Sequence, residues 1–302
     1  MSSPATPSLL TQVVTRIAAS DASFEPFAAK LISDGGSRFQ ANADAFWGRY
    51  NRFIETQGKT LEFGVQNFLR LRADMQQEWL AFQRTGVYSS SSFAEVEQRV
   101  YGCPEVMEQH MHGLVFAQFL WPEQYKRFTF FSDHLAEFTV NARRYLEVGG
   151  GHALYIIEAA RQLPGIEFDL LDISKSSIEL AQGMAAGLPI QYHLADIMEF
   201  HPERRYDFIT MGEVLEHLED PVALLRRVRE LLADDGHAYI TTPVNAPMID
   251  HIYLFRDAEE IRELLQSCGF TIEKEATQYA KEMPEKRAKA LRLPQMYAAF
   301  VS

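Results

Sequence analysis

Cysteine is nearly missing from this chain. Its 302 residues include two, Cys103 and Cys268. Two isolated thiols exclude a disulfide framework and a CxxC metal cluster, and they fit a reducing, cytoplasmic setting. Positive charge is also scarce, with 29 Lys and Arg against 41 Asp and Glu and a net charge of −12. Phosphate backbones are bound by an excess of cations, so nucleic acid is not an expected partner. No apolar run approaches the ~20 residues of a membrane span. The opening MSSPATPSLLTQVV lacks the basic start and long apolar stretch of a signal peptide. These absences leave a cytoplasmic protein that meets small molecules, away from membranes. Whether it forms a homo-oligomer is left open.

What is present changes character near residue 142. Before it, apolar residues recur at helical spacing. Phe46, Tyr50 and Phe53 share one face, and Leu61, Phe68, Leu71 and Met75 suggest another. SSSSFAEVEQRV begins like a capped helix, and Pro104 opens PEVMEQHMHGLVFAQFL. Aromatic residues crowd FLWPEQYKRFTFF, residues 119–131. After Arg144, short apolar runs (YLEV, IEFDLLD, IQYHLAD, YDFITMG, HAYITTP) alternate with amphipathic helical stretches. That alternation predicts βαβ units and a largely parallel sheet covered on both faces. FTIEKEATQ and QMYAAFVS read as two closing strands. The expected division is a helical cap over 1–141 and an α/β domain over 142–302.

The turn LEVGGGHA follows the first strand. A dinucleotide fingerprint spaces glycines as GxGxxG. Gly149 and Gly151 fit, but the third position holds Leu154. No GK[ST] follows, so a phosphate P-loop fails as well. Glu147 stands two residues before Gly149, where it would repel a pyrophosphate and suit a cationic ligand. The second strand ends in LLDIS, placing Asp172 where an acid accepts hydrogen bonds from ribose hydroxyls. The third ends in LADI, which offers Asp196 to an adenine amino group and Ile197 to the ring.

LEVGGG, LLDIS, LADI, YDFITMGEVLEHLEDP and GHAYITTP together resemble the class I S-adenosylmethionine (SAM)-dependent methyltransferases. The resemblance covers residues 142–302. It implies a Rossmann-like α/β fold of seven strands with the last one reversed. It also implies SAM contacts from Glu147, Gly149, Gly150, Gly151, Asp172, Ile173, Asp196, Ile197, Met211 and Gly212. Methyl transfer to a small acceptor in small-molecule, secondary metabolism is the reaction it implies first.

GEVLEHLED sets Glu213, Glu216 and His217 at i, i+3 and i+4, one face if the segment is helical. A similar ExxEH occurs in ubiquinone-pathway O-methyltransferases. In small-RNA 2′-O-methyltransferases it holds a metal with a later histidine, a place His251 of APMIDHIYLF could fill here. Many enzymes carry EVLEH without metal, so spacing favours the metal-free reading, and a divalent ion stays a secondary expectation. Glu213, His217 and His251 are then acid–base candidates. Either Arg143 or Arg144 could hold the methionine carboxylate. Tyr125 and Phe131, with Phe128 and Phe130, are candidates to close over the sulfonium cation.

The same residues leave two other outcomes open. The aromatic cap, the VGGGHA turn and NAPMIDHIYLF also look like azetidine-2-carboxylate synthases, in which SAM's own amine displaces methylthioadenosine. A protein that binds SAM without chemistry is the remaining alternative.

Overall fold

The computed structural model describes residues 7–302. The helical half is built from α1 (Leu9–Ser20), α2 (Glu25–Thr56), α3 (Leu61–Thr85), α4 (Phe93–Val96), α5 (Pro104–Leu120) and α6 (Pro122–Phe138). Helix α2 breaks at Gly36, whose φ of 64° and ψ of −170° no helix contains. Helix α3 stops at Gly86, whose left-handed backbone closes the last turn. SSSSFAEVEQRV departs from its expected helix. Ser92 caps α4, but that helix lasts four residues before a π-turn over Glu97–Tyr101.

The second half alternates as its apolar pattern requires. It contains β1 (Arg144–Val148), α7 (Leu154–Gln162), β2 (Glu167–Asp172), α8 (Lys175–Met184), β3 (Ile190–Leu194), β4 (Tyr206–Gly212) and α9 (Pro221–Leu231). Then come β5 (Leu232–Val244), α10 (Ala258–Ser267), β6 (Ile272–Tyr279), α11 (Glu285–Ala290) and β7 (Gln295–Val301). The seven strands order as β3-β2-β1-β4-β5-β7-β6. The first five in the chain run parallel, and β7 is antiparallel to both β5 and β6. Because the sheet is covered on both faces, β1 and β4 are buried almost throughout.

One core cluster runs through both halves. It joins Trp47, Phe116 and Phe119 of the helical half to Tyr155 of α7 and to Tyr239 and Phe300 on the sheet. Phe131 of α6 is fully buried, with ring centroids 5.0 Å from both Tyr155 and Tyr239. Truncating such a ring to alanine costs roughly 3–5 kcal/mol. A second cluster on the opposite face packs Leu224, Val228, Ile261 and Leu265 of α9 and α10 under the sheet. This packing fixes the carboxyl ends of β1, β2, β3 and β4 beneath α5. No helix among the described residues is long and apolar enough to cross a membrane.

Candidate active site

A cavity of about 1410 Å3 lies between those strand ends and the helical half. Its roof is one stripe of α5, formed by Pro104, Met107, His110, Met111, Leu114 and Gln118, with Trp121 just beyond. Helical periodicity of 3.6 puts these positions on one face. Two sets of residues line the floor. One end is formed by the loops after β1, β2 and β3, including Gly149–Gly151, Asp172–Ile173 and Asp196–Ile197. The other is formed by Pro243, Ala246–Met248, Leu293 and Met296, near β5 and β7.

The glycine turn is tight enough to explain its composition. Gly149 and Gly151 have φ of 66° and 47°. A Cβ on Gly149 would stand 2.6 Å from Val214 Cγ2. Ala153 is also left-handed, at φ 61°, and precedes the first residue of α7. Leu154, where the dinucleotide fingerprint wants glycine, is buried instead.

Two acids flank this turn. The Ile156 N–H donates to Glu147 Oε2 at 2.6 Å. Burial nevertheless pushes the Glu147 carboxyl up to about 8. Asp172 accepts from the N–H of Ser174 at 2.8 Å and of Gly151 at 3.3 Å. Burial raises it to about 6 against those donors.

Glu213 does not share a helical face with Glu216 and His217. Its φ is 56°, and only Leu215–His217 form a short 3-10 turn. It receives a hydrogen bond from Thr241 Oγ1 at 2.9 Å and pairs with Arg127 Nη1 at 2.5 Å. Arg127 is buried on α6, and burial alone would lower its pKa, but the Glu213 charge raises it. The Arg127 Nε atom has no partner among the described residues. No motif spacing marks Arg127 in the sequence, and it lines the cavity.

Glu216, His217 and His251 do converge. Their ligand atoms lie within 4.8 Å of one another. Glu216 is fully buried and receives a hydrogen bond from Thr242 Oγ1 at 2.9 Å on Oε2, while Oε1 has no partner. Both histidine Nε2 atoms stand 3.9 Å from that Oε1. The His251 Nδ1–H donates to Ala246 O at 2.6 Å, and that of His217 to Asp250 O at 3.0 Å. Carbonyls thus hold both rings with Nε2 facing the carboxylate, as metal-bound histidines are held when their other ring nitrogen donates to a carbonyl. The N–H groups of Ile252 and Tyr253 both donate to Glu216 O, which brings the distant His251 segment here. Burial lowers the His251 pKa to about 3, helped by the His217 charge. Burial also opposes protonation of His217, but the Asp250 and Glu216 charges outweigh it and raise its pKa. Burial raises Glu216, and the Glu213 charge adds to the shift. The donor set fits a divalent ion through three of the four residues suggested by the sequence; Glu213 is turned away.

Five other candidates fall outside the cavity. Tyr125 packs among Phe39, Phe119 and Phe128 and accepts a hydrogen bond from Asn42 Nδ2. Phe131 belongs to the core described above. Met211 is fully buried under the sheet, since alternate strand residues face opposite sides, and only Gly212 reaches the lining. Arg144 stands at the amino end of β1, paired with Asp169 and Glu167, far from the ligand end. Arg143 precedes it and is exposed.

An α/β sheet with a glycine turn, an acid ending β2 and a cavity across its strand ends defines an adenosyl-ligand fold. Residues 123–275, just over half the chain, match the family model described as a methyltransferase domain. The chain belongs to this methyltransferase-domain family. The ubiquinone biosynthesis O-methyltransferase of Proteus mirabilis (strain HI4320) is 32% identical over 105 residues, 33% of this chain and 42% of that protein. That of Bordetella avium (strain 197N) is 27% identical over 131 residues, 42% of this chain and 53% of that protein. The chain thus spans about half the length of the curated relatives it matches. The solved mitomycin 7-O-methyltransferase MmcR superposes with a TM-score of 0.52 at 15% identity, covering 80% of this chain and 69% of that one. The plantazolicin methyltransferase BpumL gives 0.51 at 14%, covering 70% and 95%. These two likenesses bear on the fold alone.

Proposed function

We propose that this protein transfers the SAM methyl group to a small, largely apolar acceptor. The observation that carries the reading is the size of the single cavity, which we read as a cosubstrate compartment and a second compartment beyond it. Ligand pockets run to roughly 300–1,000 Å3, and about 1410 Å3 exceeds what one cosubstrate fills. SAM would occupy the end formed by Gly149–Gly151, Asp172 and Asp196, with Ile173 and Ile197 against the adenine. Asp172 would take the ribose hydroxyls, Arg127 the methionine carboxylate through its free Nε, and Glu147 the side of the positive charge. The acceptor would then lie between Trp79, Trp121 and Met248, in line with the methyl group. Positioning of this kind can supply about 7–11 kcal/mol of the barrier in a displacement.

Glu216, His217 and His251 adjoin the second compartment. They would hold a divalent cation, which supplies a Lewis acid that acidifies the acceptor hydroxyl. Without a cation, His217 is the side chain placed to take the acceptor's proton, being 22% exposed beside the cavity.

The test is to incubate the purified protein with SAM alone and with a panel of hydroxylated aromatic acceptors, separating the products. S-adenosylhomocysteine formed only with an acceptor is the expected result. Stoichiometric methylthioadenosine and a cyclic amino acid from SAM alone would overturn methyl transfer in favour of cyclisation. SAM binding without turnover across the panel would leave a binding protein.

A further inference from the structure

Besides Arg127 Nε, Tyr155 Oη and Glu216 Oε1, three buried side chains lining this cavity carry a polar atom with no partner among the described residues: Gln118 Oε1, His110 Nδ1 and Asp250 Oδ1. They are 6%, 5% and 3% exposed. Buried polar atoms are almost always paired, because an unpaired one forfeits its hydration. Gln118 Oε1 and ionised Asp250 Oδ1 accept rather than donate. His110 Nε2 is 3.3 Å from Asp250 Oδ2. With that nitrogen protonated towards the carboxylate, Nδ1 carries the lone pair. Around them the wall is apolar and aromatic, with Leu114, Trp121 and Met248.

We infer that Gln118, His110 and Asp250 determine which acceptor is taken, and that the acceptor presents O–H or N–H donors on an otherwise apolar body. The inference rests on the two-compartment reading above. Two of the three residues come from α5, so the helical half reads the acceptor while the sheet holds the cosubstrate. A site built to pair donors rejects an analogue that lacks them more strongly than an apolar wall rejects a change of size.

The test uses the full chain saturated with S-adenosylhomocysteine and two probes of similar shape, resorcinol and 1,3-dimethoxybenzene. Methylating both hydroxyls removes the donors and keeps the ring. Ligand-detected NMR titration is expected to show resorcinol binding at least about ten-fold tighter. Gln118→Met and His110→Phe should each narrow that ratio, while the S-adenosylhomocysteine affinity measured by calorimetry stays unchanged. Equal binding of the two probes, or no binding by either, overturns the inference. So does a ratio that survives both substitutions in protein that still binds S-adenosylhomocysteine. Cyclisation of SAM alone, by contrast, would defeat the methyl-transfer reading and is seen in a different assay.

Discussion

Arg127 and Glu213 form an ion pair at 2.5 Å in which the arginine is buried and the acid borders the cavity. The pair ties α6 to the turn after β4, across the boundary between the two halves. Removing one partner leaves the other charge in a poor solvent, which typically costs 3–5 kcal/mol. Glu213 keeps some water, so Arg127→Met should lower unfolding stability by about 2–3 kcal/mol. It should also weaken SAM binding about ten-fold through the lost carboxylate contact. Urea denaturation and calorimetry measure the two effects separately. Unchanged SAM affinity would remove Arg127 from the cosubstrate site.

Asp172 should govern how SAM affinity depends on pH. Its carboxyl titrates near 6, because burial outweighs the Ser174 and Gly151 donors. Below that value it is protonated and accepts ribose hydroxyls poorly. SAM binding is therefore expected to tighten as pH rises from 5 to 7. Asp172→Asn should flatten that limb and cost about 2–3 kcal/mol, a factor of roughly 30–150 at pH 7.5. A wild-type dissociation constant that does not vary over this range refutes the assignment.

Stability of the ligand-free protein should fall as pH rises from 6.5 to 8.5. Glu147 is raised to about 8 by burial, Glu216 is raised by burial and Glu213, and His217 is raised by Asp250 and Glu216. In this window the native state holds more protons than the unfolded chain, so each further pH unit favours unfolding. The lowered histidines, His112 near 4 and His152 and His251 near 3, oppose this fall below about pH 7.5, because only the unfolded chain still holds protons on them there, so the fall is steepest above that pH. Melting temperatures at pH 6.5 and 8.5 test this, and Glu147→Gln should shrink the difference. A melting point that climbs towards pH 8.5 contradicts the burial of these acids.

Zinc added to chelator-treated protein should raise its melting temperature, since an ion bound only by the native state stabilises it. His251→Ala and Glu216→Gln should abolish the increase. Glu213→Gln should leave it intact, because Glu213 faces Arg127 and not the two histidines. A shift that persists in His251→Ala places the ion elsewhere.

The sheet was legible because burial on both faces leaves a strong apolar signature, and the helices between strands carry caps such as Asp220 before Pro221. Asp172 and the glycine turn were legible because a strand end fixes where the next residue points. The helical half was less so. Tyr125 and Phe131 lie in an aromatic run next to the sheet, but sequence spacing does not tell a ring facing the core from one facing a ligand. Glu213 was grouped with Glu216 and His217 by a spacing that assumes helix, and a left-handed residue breaks that spacing. Arg127 was missed because its role comes from tertiary packing. Arg144 was suspected from proximity in sequence, while the direction of β1 puts it at the wrong end.

The core that passes unbroken from Trp47 and Phe116 to Tyr155 and Phe300 bears on how such a protein acquires new chemistry. An enzyme whose roof is a separable module can trade it whole for another. Here exchange would expose a seam of mismatched aromatic rings on both pieces. Divergence is thereby steered towards single replacements along the ligand-facing stripe of α5, where a side chain meets the guest and leaves the joint between the halves undisturbed.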